Sequence, residues 1–218
     1  APDFLEPVIA AAQADPTIGA LGPKIRYFDR PEVIQYAGGK PVDLWRGRGG
    51  WRGFREEDRG QYDAVEETHG AHGAAFVVRR EALEAVGPLD ASLFIFYEEL
   101  DWSVRIRQAG FKIVYVPGSV VFHKESMTTG KVSPFRTYYM TRNRTLFMRR
   151  HASPLQKAVF VSWLLLGSTP LNATRHIRGR RRDLLKASLE GLRDGLTHPG
   201  LGNAGAPTGR NPAKKKAA

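Results

Sequence analysis

Short apolar runs separated by polar turns predict that helices and strands alternate through the first half of the chain. The apolar run that ends at Ala14 predicts a helix, with Asp3 as its N-cap and Glu6 in its first turn. Residues 18–25 predict a short buried strand, and residues 69–78 predict another.

The next elements surround an acidic segment. Residues 79–85 predict a short helix that ends at Gly87-Pro88, and a second helix is expected from Glu98 to about residue 108. Two strands follow at residues 112–116 and 119–122, separated by Pro117-Gly118. Residues 38–63 are rich in Gly, Arg and Trp and follow neither period, so they predict a long mobile loop.

The C-terminal third predicts helices of a different character. Residues 134–150 predict a basic helix, and the apolar stretch 158–171 is shorter than the roughly 20 residues that a membrane-spanning helix needs. Leucines also form one helical stripe, at positions 185, 189, 192 and 196. Two interpretations remain open: these helices lie at a membrane interface, or they cover the core of the domain. Residues 200–218 predict a disordered basic tail.

Composition narrows the class of protein. The 218 residues suffice for one domain with appendages, and the lack of cysteine excludes disulfides and thiolate metal sites. The net charge of +11 is unevenly distributed, because Asp183, Glu190 and Asp194 are the only acidic residues after residue 130. A basic C-terminal part predicts a polyanionic surface as partner, either anionic lipid or nucleic acid.

The segment from Phe94 to Trp102 concentrates candidate chemistry. Three carboxylates, Glu98, Glu99 and Asp101, directly follow an apolar, aromatic run. Carboxylates near a core need water, a metal or a cation. The competing interpretation is a helix start, where acidic side chains are favoured by the helix dipole.

The surrounding motifs resemble glycosyltransferase family 2, and within it the rhamnosyltransferase-like bacterial enzymes. The resemblance runs from about Asp3 to about Gly195. It rests on five motifs in family order: Gly73-Ala74-Ala75, Val86-Gly87-Pro88-Leu89-Asp90, Glu98-Glu99-Leu100-Asp101, Pro117-Gly118 and His123. It implies an α/β fold with a mixed sheet, here the acceptor-side part of a GT-A domain, followed by a C-terminal helical extension.

The resemblance also implies catalytic roles. Glu99 matches the base that takes the proton of the acceptor hydroxyl, and Glu98 or Asp101 would bind acceptor hydroxyls or orient the site. His123 matches a family position that supplies an imidazole ligand to a divalent metal, Mg²⁺ or Mn²⁺. A lone histidine at the end of a strand is alternatively structural.

The same resemblance assigns substrate-binding residues. Gly73 and Ala74 would line the acceptor pocket, and Trp102 would offer a flat face to a sugar; close packing in the core is the alternative for each. Arg142 and Arg144 match a family segment in which arginine would bind a diphosphate or a lipid phosphate. For these two the alternative is a solvated helix face.

His69 and His72 look superficially like a metal-binding pair. Three residues apart in a strand, they would lie on opposite faces of the sheet. We therefore expect them to be loop or acceptor-pocket residues.

One family motif is not found. The Asp-x-Asp sequence that holds the metal and the donor diphosphate is missing, and Glu56-Glu57-Asp58 lies in the Arg-rich loop. We therefore expect the base and acceptor half without most of the donor site, and weak or no catalysis by this chain alone. The expected divisions are residues 1–132 for the catalytic half, 133–199 for a membrane-associating extension and 200–218 for the tail.

The function implied is inverting transfer of a sugar, with rhamnose as one candidate, from a nucleoside-diphosphate sugar to a saccharide or lipid-linked acceptor in cell-envelope polysaccharide synthesis. The protein would be cytoplasmic and peripheral on the inner face of the plasma membrane. The rival is a non-catalytic scaffold that binds membrane or nucleic acid. The carboxylate cluster disfavours nucleic acid, because it would repel phosphates.

Overall fold

The computed structural model describes residues 3–125 and 132–201. Its centre is a mixed five-stranded sheet in which β1 lies between β2 and β5, β3 is on the far side of β5, and β4 pairs with β1. Only the β1–β5 pair is parallel. The strands are β1 (Ile18–Tyr27), β2 (Arg30–Tyr36), β3 (Glu66–Thr68), β4 (Val77–Val78) and β5 (Lys112–His123). This arrangement confirms the α/β class and the mixed sheet.

Helices pack beside the sheet and then form a layer of their own. They are α1 (Leu5–Ala14), α2 (Arg80–Val86), α3 (Glu98–Gln108), α4 (Pro134–His151), α5 (Pro154–Trp163), α6 (Thr169–Arg178) and α7 (Arg182–Thr197). A π-helical turn, Leu164–Ser168, joins α5 to α6. Among the described residues, no helix combines the length and the apolar character needed to cross a membrane.

The two central strands explain why the core forms here. Nearly every residue of β1 is buried, as are most residues in the first half of β5, which is typical of a parallel pair covered on both faces. The predicted break at Pro117-Gly118 is wrong, because β5 continues to His123. The register instead shifts there: Val116 pairs with Pro23 and Val120 pairs with Lys24, so the intervening residues bulge out of the ladder.

Two other local predictions are corrected. The N-cap of α1 is Phe4, and no side-chain bond caps this helix, so Asp3 does not have the expected role. The strand predicted at residues 69–78 is mostly a loop, since β3 ends at Thr68 and β4 holds two residues only. That loop passes over the edge of the sheet toward α3.

Helix α4 packs against the segment that precedes α3. Its Leu146, Phe147 and Met148 are buried in one apolar cluster with Leu93 and Tyr97. The N-terminus of α4 is capped by Ser133, whose hydroxyl accepts from the Arg136 N–H at 3.1 Å. The expected division at residue 132 therefore separates two segments that pack against each other.

Helix α7 buries only part of the predicted leucine stripe. Leu189 and Leu196 are exposed, whereas Leu184, Ala187, Gly191, Leu192 and Gly195 are buried. Glycine allows the close approach to α4: a Cβ on Gly191 would lie 2.5 Å from the Tyr138 carbonyl oxygen. The predicted tail 200–218 lies outside the described residues except for 200 and 201.

Candidate active site

A strained turn leads into the acidic helix. Phe94, Phe96 and Tyr97 have φ angles of 60°, 64° and 72°, in the left-handed region that bulky residues rarely adopt. Tyr97 is the N-cap of α3, and its hydroxyl donates to the Gly47 carbonyl at 2.8 Å. The helix that follows starts at Glu98, as the sequence predicted.

Phe96, Tyr97 and Glu98 border a cleft of about 1100 Å³ between the sheet edge, the Arg-rich loop and the C-terminal helices. The cleft brings together most of the predicted site residues, and leaves out Asp101, Trp102 and Arg142. Those that line it are Gly73, Ala74, Glu98, Glu99, His123 and Arg144.

Among the described residues, no cationic side chain pairs with Glu98 or Glu99. In each side chain one buried oxygen, Oε2, has no hydrogen-bond partner among the described residues. Burial raises the pKa of Glu98. Burial and the neighbouring charge of Glu98 raise the pKa of Glu99 to about 7. A carboxyl group in this state accepts a proton readily near neutral pH.

Gly73 packs directly against Glu99. A Cβ built on Gly73 would lie 3.7 Å from the Cβ and Cγ atoms of Glu99, which is ordinary contact. Gly73 therefore lies beside Glu99, and Ala74 lines the same cleft. Their role in an acceptor pocket stays a prediction.

His123 lies at the end of β5 with His72 beside it. Its Nδ1 is 2.8 Å from the Gln35 side-chain oxygen, so this nitrogen carries the proton and Nε2 has a free lone pair. The His72 ring is 6.0 Å from the His123 ring, and its Nδ1 accepts from the Ala74 N–H at 3.1 Å. Burial and nearby His123 lower the pKa of His72 to about 4, so it is neutral at physiological pH.

The cleft residues do not by themselves complete a metal site. Within residues 3–125 and 132–201, no group of three His, Asp or Glu side chains is placed to hold an ion. His123 offers one imidazole nitrogen, and its role as a metal ligand stays a prediction.

A basic wall lines part of the same cleft. It consists of Lys40, Arg48, Arg136 and Arg144. The Arg144 guanidinium lies 4.6 Å from the centre of the Trp163 ring, and its Nε donates to the Arg46 carbonyl at 2.7 Å. Arg136 lies 4.7 Å from the centre of the Phe96 ring. These contacts hold guanidinium groups where an anionic ligand would enter.

Asp101 points away from the cleft into a buried ionic cluster. Its carboxylate is fully buried and contacts Arg105 at 2.8 Å, Arg150 at 2.9 Å and His151 at 2.7 Å. Burial raises its pKa, but the bonds from His151 and Arg150 and the charge of Arg105 outweigh it and lower the pKa to about 2. Binding of acceptor hydroxyls by Asp101 does not fit this position; orienting α3 does.

Trp102 and Arg142 also belong to the interior. The Trp102 ring packs 5.2 Å from that of Phe76, and its Nε1 donates to the Gly87 carbonyl at 2.8 Å, which corrects its prediction as a sugar platform. Arg142 is buried and donates to the Ser92 carbonyl at 2.9 Å. Its guanidinium does not line the cleft, so the predicted phosphate contact is corrected for this residue and retained for Arg144.

Sequence reasoning missed two contributors. Trp51 lies 5.1 Å from the His72 ring and lines the cleft, although its segment predicted a mobile loop. Asn143 follows Arg142 in the same motif and bonds to the strained turn. An asparagine between two arginines, in the segment that resembles the family, was the available signal for Asn143.

Comparison with known proteins shows the family of this chain. The family profile described as "Glycosyltransferase like family 2" matches residues 2–146, from before α1 into α4. The chain belongs to glycosyltransferase family 2. The matched range includes the acidic pair, His123 and the Arg142–Arg144 motif.

Curated relatives carry related names. An "N-acetylglucosaminyl-diphospho-decaprenol L-rhamnosyltransferase" of Mycobacterium tuberculosis is 27% identical over 191 residues, 83% of this chain and 61% of that protein. A "dTDP-rhamnosyl transferase RfbF" of Shigella flexneri is 31% identical over 139 residues, 59% of this chain and 46% of that protein. The chain thus spans less than two thirds of the length of these relatives.

Proposed function

We propose that this chain forms the base and acceptor side of an inverting glycosyltransferase. The observation that carries the proposal is the Glu98–Glu99 pair: it lies in the cleft, pairs with no cation among the described residues, and includes one carboxyl whose pKa is raised to about 7. A structural carboxylate would be paired, as Asp101 is. An unpaired acid in a large cleft is typical of a general base.

Glu99 is the proposed base. As the acceptor hydroxyl oxygen forms its bond to the anomeric carbon, its proton passes to the Glu99 carboxylate. The bond between that carbon and the donor diphosphate breaks, and the electron pair leaves with the diphosphate. Such a base contributes about 10²–10⁴-fold in rate.

The basic wall would bind the phosphates of a substrate. Arg48, Arg136 and Arg144 line the same cleft as the proposed base, and arginine suits bidentate contact with phosphate oxygens. The names of the two relatives favour rhamnose as the sugar, dTDP-rhamnose as its donor and a lipid-linked diphosphate saccharide as the acceptor. The process would be cell-envelope polysaccharide synthesis, and a divalent metal held in part by His123 belongs to the same proposal.

The surface of the C-terminal helices supports membrane association. Leu166 is 83% exposed on the π-helical turn, and Leu171 and Ile177 are each 61% exposed on α6. Basic residues accompany them, among them Arg175, Arg178, Arg180 and Arg182. An apolar surface with a basic surround favours anionic lipid, on the inner face of the plasma membrane.

Transfer assays test the catalytic part. The full polypeptide is incubated with dTDP-rhamnose and an N-acetylglucosamine-diphosphate-lipid acceptor, and Glu99→Gln is compared with Glu84→Gln, an exposed acid on α2. Glu99→Gln should lose about 10²–10⁴-fold in kcat, and Glu84→Gln should match the wild type. Equal turnover by both variants would remove Glu99 from the role.

Vesicle sedimentation tests the membrane part. Binding to phosphatidylglycerol vesicles that weakens with salt, with none to phosphatidylcholine vesicles, is the expected result. Replacing Leu166 and Leu171 by Ser should reduce it. Preference for a DNA or RNA oligonucleotide over anionic vesicles would favour the scaffold alternative.

A further inference from the structure

The turn before α3 needs an external support. Phe94, Phe96 and Tyr97 all occupy the left-handed region, where each bulky side chain is strained. Such conformations persist only where the surrounding structure over-determines them. Because this turn runs directly into Glu98 and Glu99, its conformation sets where their carboxyl groups lie.

Asn143 on α4 supplies that support. Its side-chain nitrogen lies 2.7 Å from the Leu93 carbonyl oxygen, 2.8 Å from that of Ile95 and 2.9 Å from that of Phe96. The residue is fully buried. An amide has two N–H donors, so the three carbonyls share them and the amide touches the turn along most of its length.

Arg142 fixes the orientation of this amide. Its Nη1 donates to the Asn143 Oδ1 atom at 2.8 Å and to the Ser92 carbonyl at 2.9 Å. With Oδ1 occupied by a donor, the nitrogen of Asn143 must face the turn. The two neighbours on α4 therefore bind residues 92–96 as a unit.

We propose that Asn143 is a positioning residue for the transfer reaction, which holds the turn at residues 93–97 in its strained form and so places Glu99 in the cleft. It touches neither substrate nor reacting atoms. The inference rests on the proposed function, in which Glu99 is the base. A displacement of about 1 Å in such a group costs about 100-fold in rate.

The first test compares Asn143→Ala and the milder Asn143→Ser with Thr145→Ala in the full polypeptide. Thr145 is equally buried on α4, but its hydroxyl bonds to the Thr141 carbonyl at 3.0 Å within the helix. We expect kcat to fall about 10- to 100-fold for the Asn143 variants, with the donor KM within about 3-fold. Thr145→Ala should lower the melting temperature without that loss of kcat.

A rescue experiment separates positioning from general stability. Phe94 is 67% exposed and does not line the cleft, and glycine adopts positive φ without strain. Phe94→Gly should therefore restore part of the kcat lost in Asn143→Ala. The fall in kcat caused by Asn143→Ala should be at least about 3-fold smaller when it is measured against the Phe94→Gly single variant than when it is measured against the wild type. A merely structural loss at Asn143 would not respond to a change in this turn. Unchanged kcat in the Asn143 variants, or no rescue, overturns the proposal.

Hydrogen–deuterium exchange makes the two proposals separable. Amides of residues 92–101 should exchange faster in Asn143→Ala and Asn143→Ser than in Thr145→Ala, whatever the substrate. If the wild type transfers no sugar, the proposed function fails, and exchange alone decides whether Asn143 holds the turn. Unchanged exchange in the Asn143 variants rejects that support even in an active enzyme.

Discussion

Helix α3 places two kinds of carboxylate within one turn of each other. Asp101 faces α4 and meets Arg105, Arg150 and His151, which keep it charged. Glu98 and Glu99 face the cleft, where no cation from the described part of the chain is bonded to their buried oxygens and burial favours the protonated form. The difference shows that the cationic partners supplied by the surrounding elements, rather than the type of acidic residue, determine whether a carboxylate has a structural role or is available as a base.

The largest expected effect is the loss of stability when the paired carboxylate, Asp101, is neutralised. Asp101→Asn leaves the buried Arg105 beside a neutral group, while the partly exposed Arg150 keeps its ion pair with Asp90. We therefore expect a loss of about 3–5 kcal/mol in unfolding free energy, measured by urea titration. The melting temperature should fall by roughly 10 °C. Asp183→Asn, which removes a carboxylate from the exposed ion pair with Arg181, is the matched control and should change little. Comparable losses in both variants would contradict the assignment of Asp101 to a buried cluster.

The contribution of Glu99 to the free energy of unfolding should depend on pH. Because the pKa of Glu99 is raised from 4.5 to about 7, the native state holds a proton that the unfolded state releases between these values. Stability is therefore lost as the pH rises through this window, by on the order of 3 kcal/mol. Glu99→Gln should be more stable than the wild type at pH 8 by that amount and equal to it at pH 4. Thermal melts across this range measure the difference.

Asp101 and an exposed acid serve as references for that profile. The depressed pKa of Asp101 has the opposite sign: its contribution is present above about pH 4 and is lost as the pH falls toward 2. Glu84→Gln, on the solvent face of α2, should track the wild type at every pH. A pH-independent gain in Glu99→Gln would show that the carboxyl of Glu99 is not the titrating group.

The contrast within α3 also shows which features of the structure can be predicted from the sequence. The helix itself was predicted with its start at Glu98, because local signals determine a helix start. Strand β2 was missed because Arg30, Pro31 and Glu32 begin it with exposed residues, and only its end is buried. The roles of Asp101 and Arg142 depend on contacts between α3, the turn and α4, across some fifty residues of sequence. No local pattern encodes such contacts.

The α7 helix teaches the same lesson about packing. Its leucine spacing predicted one stripe of a helix, at a membrane interface or over the core, but the buried face follows Gly191 and Gly195, which let α4 approach closely. Periodicity identifies helices well, whereas the face that is buried depends on the shape of the partner. The leucines left exposed are then free to contribute to the surface proposed for membrane contact.

The smallest effect concerns the wall of the cleft. The φ angle of Gly73 lies outside the positive range that disfavours other residues, and a Cβ there would meet Glu99 at 3.7 Å. Gly73→Ala should therefore fold with a stability change within about 1 kcal/mol. Gly118→Ala is its control, since the added Cβ would meet Pro7 at 3.5 Å on the bulge of β5, away from the cleft. If acceptor enters beside Glu99, the methyl group of Gly73→Ala should raise the acceptor KM several-fold and leave the donor KM unchanged, whereas Gly118→Ala changes neither. A shift in the donor KM alone would mean that Gly73 lines the donor side, and that the base faces the acceptor from another direction.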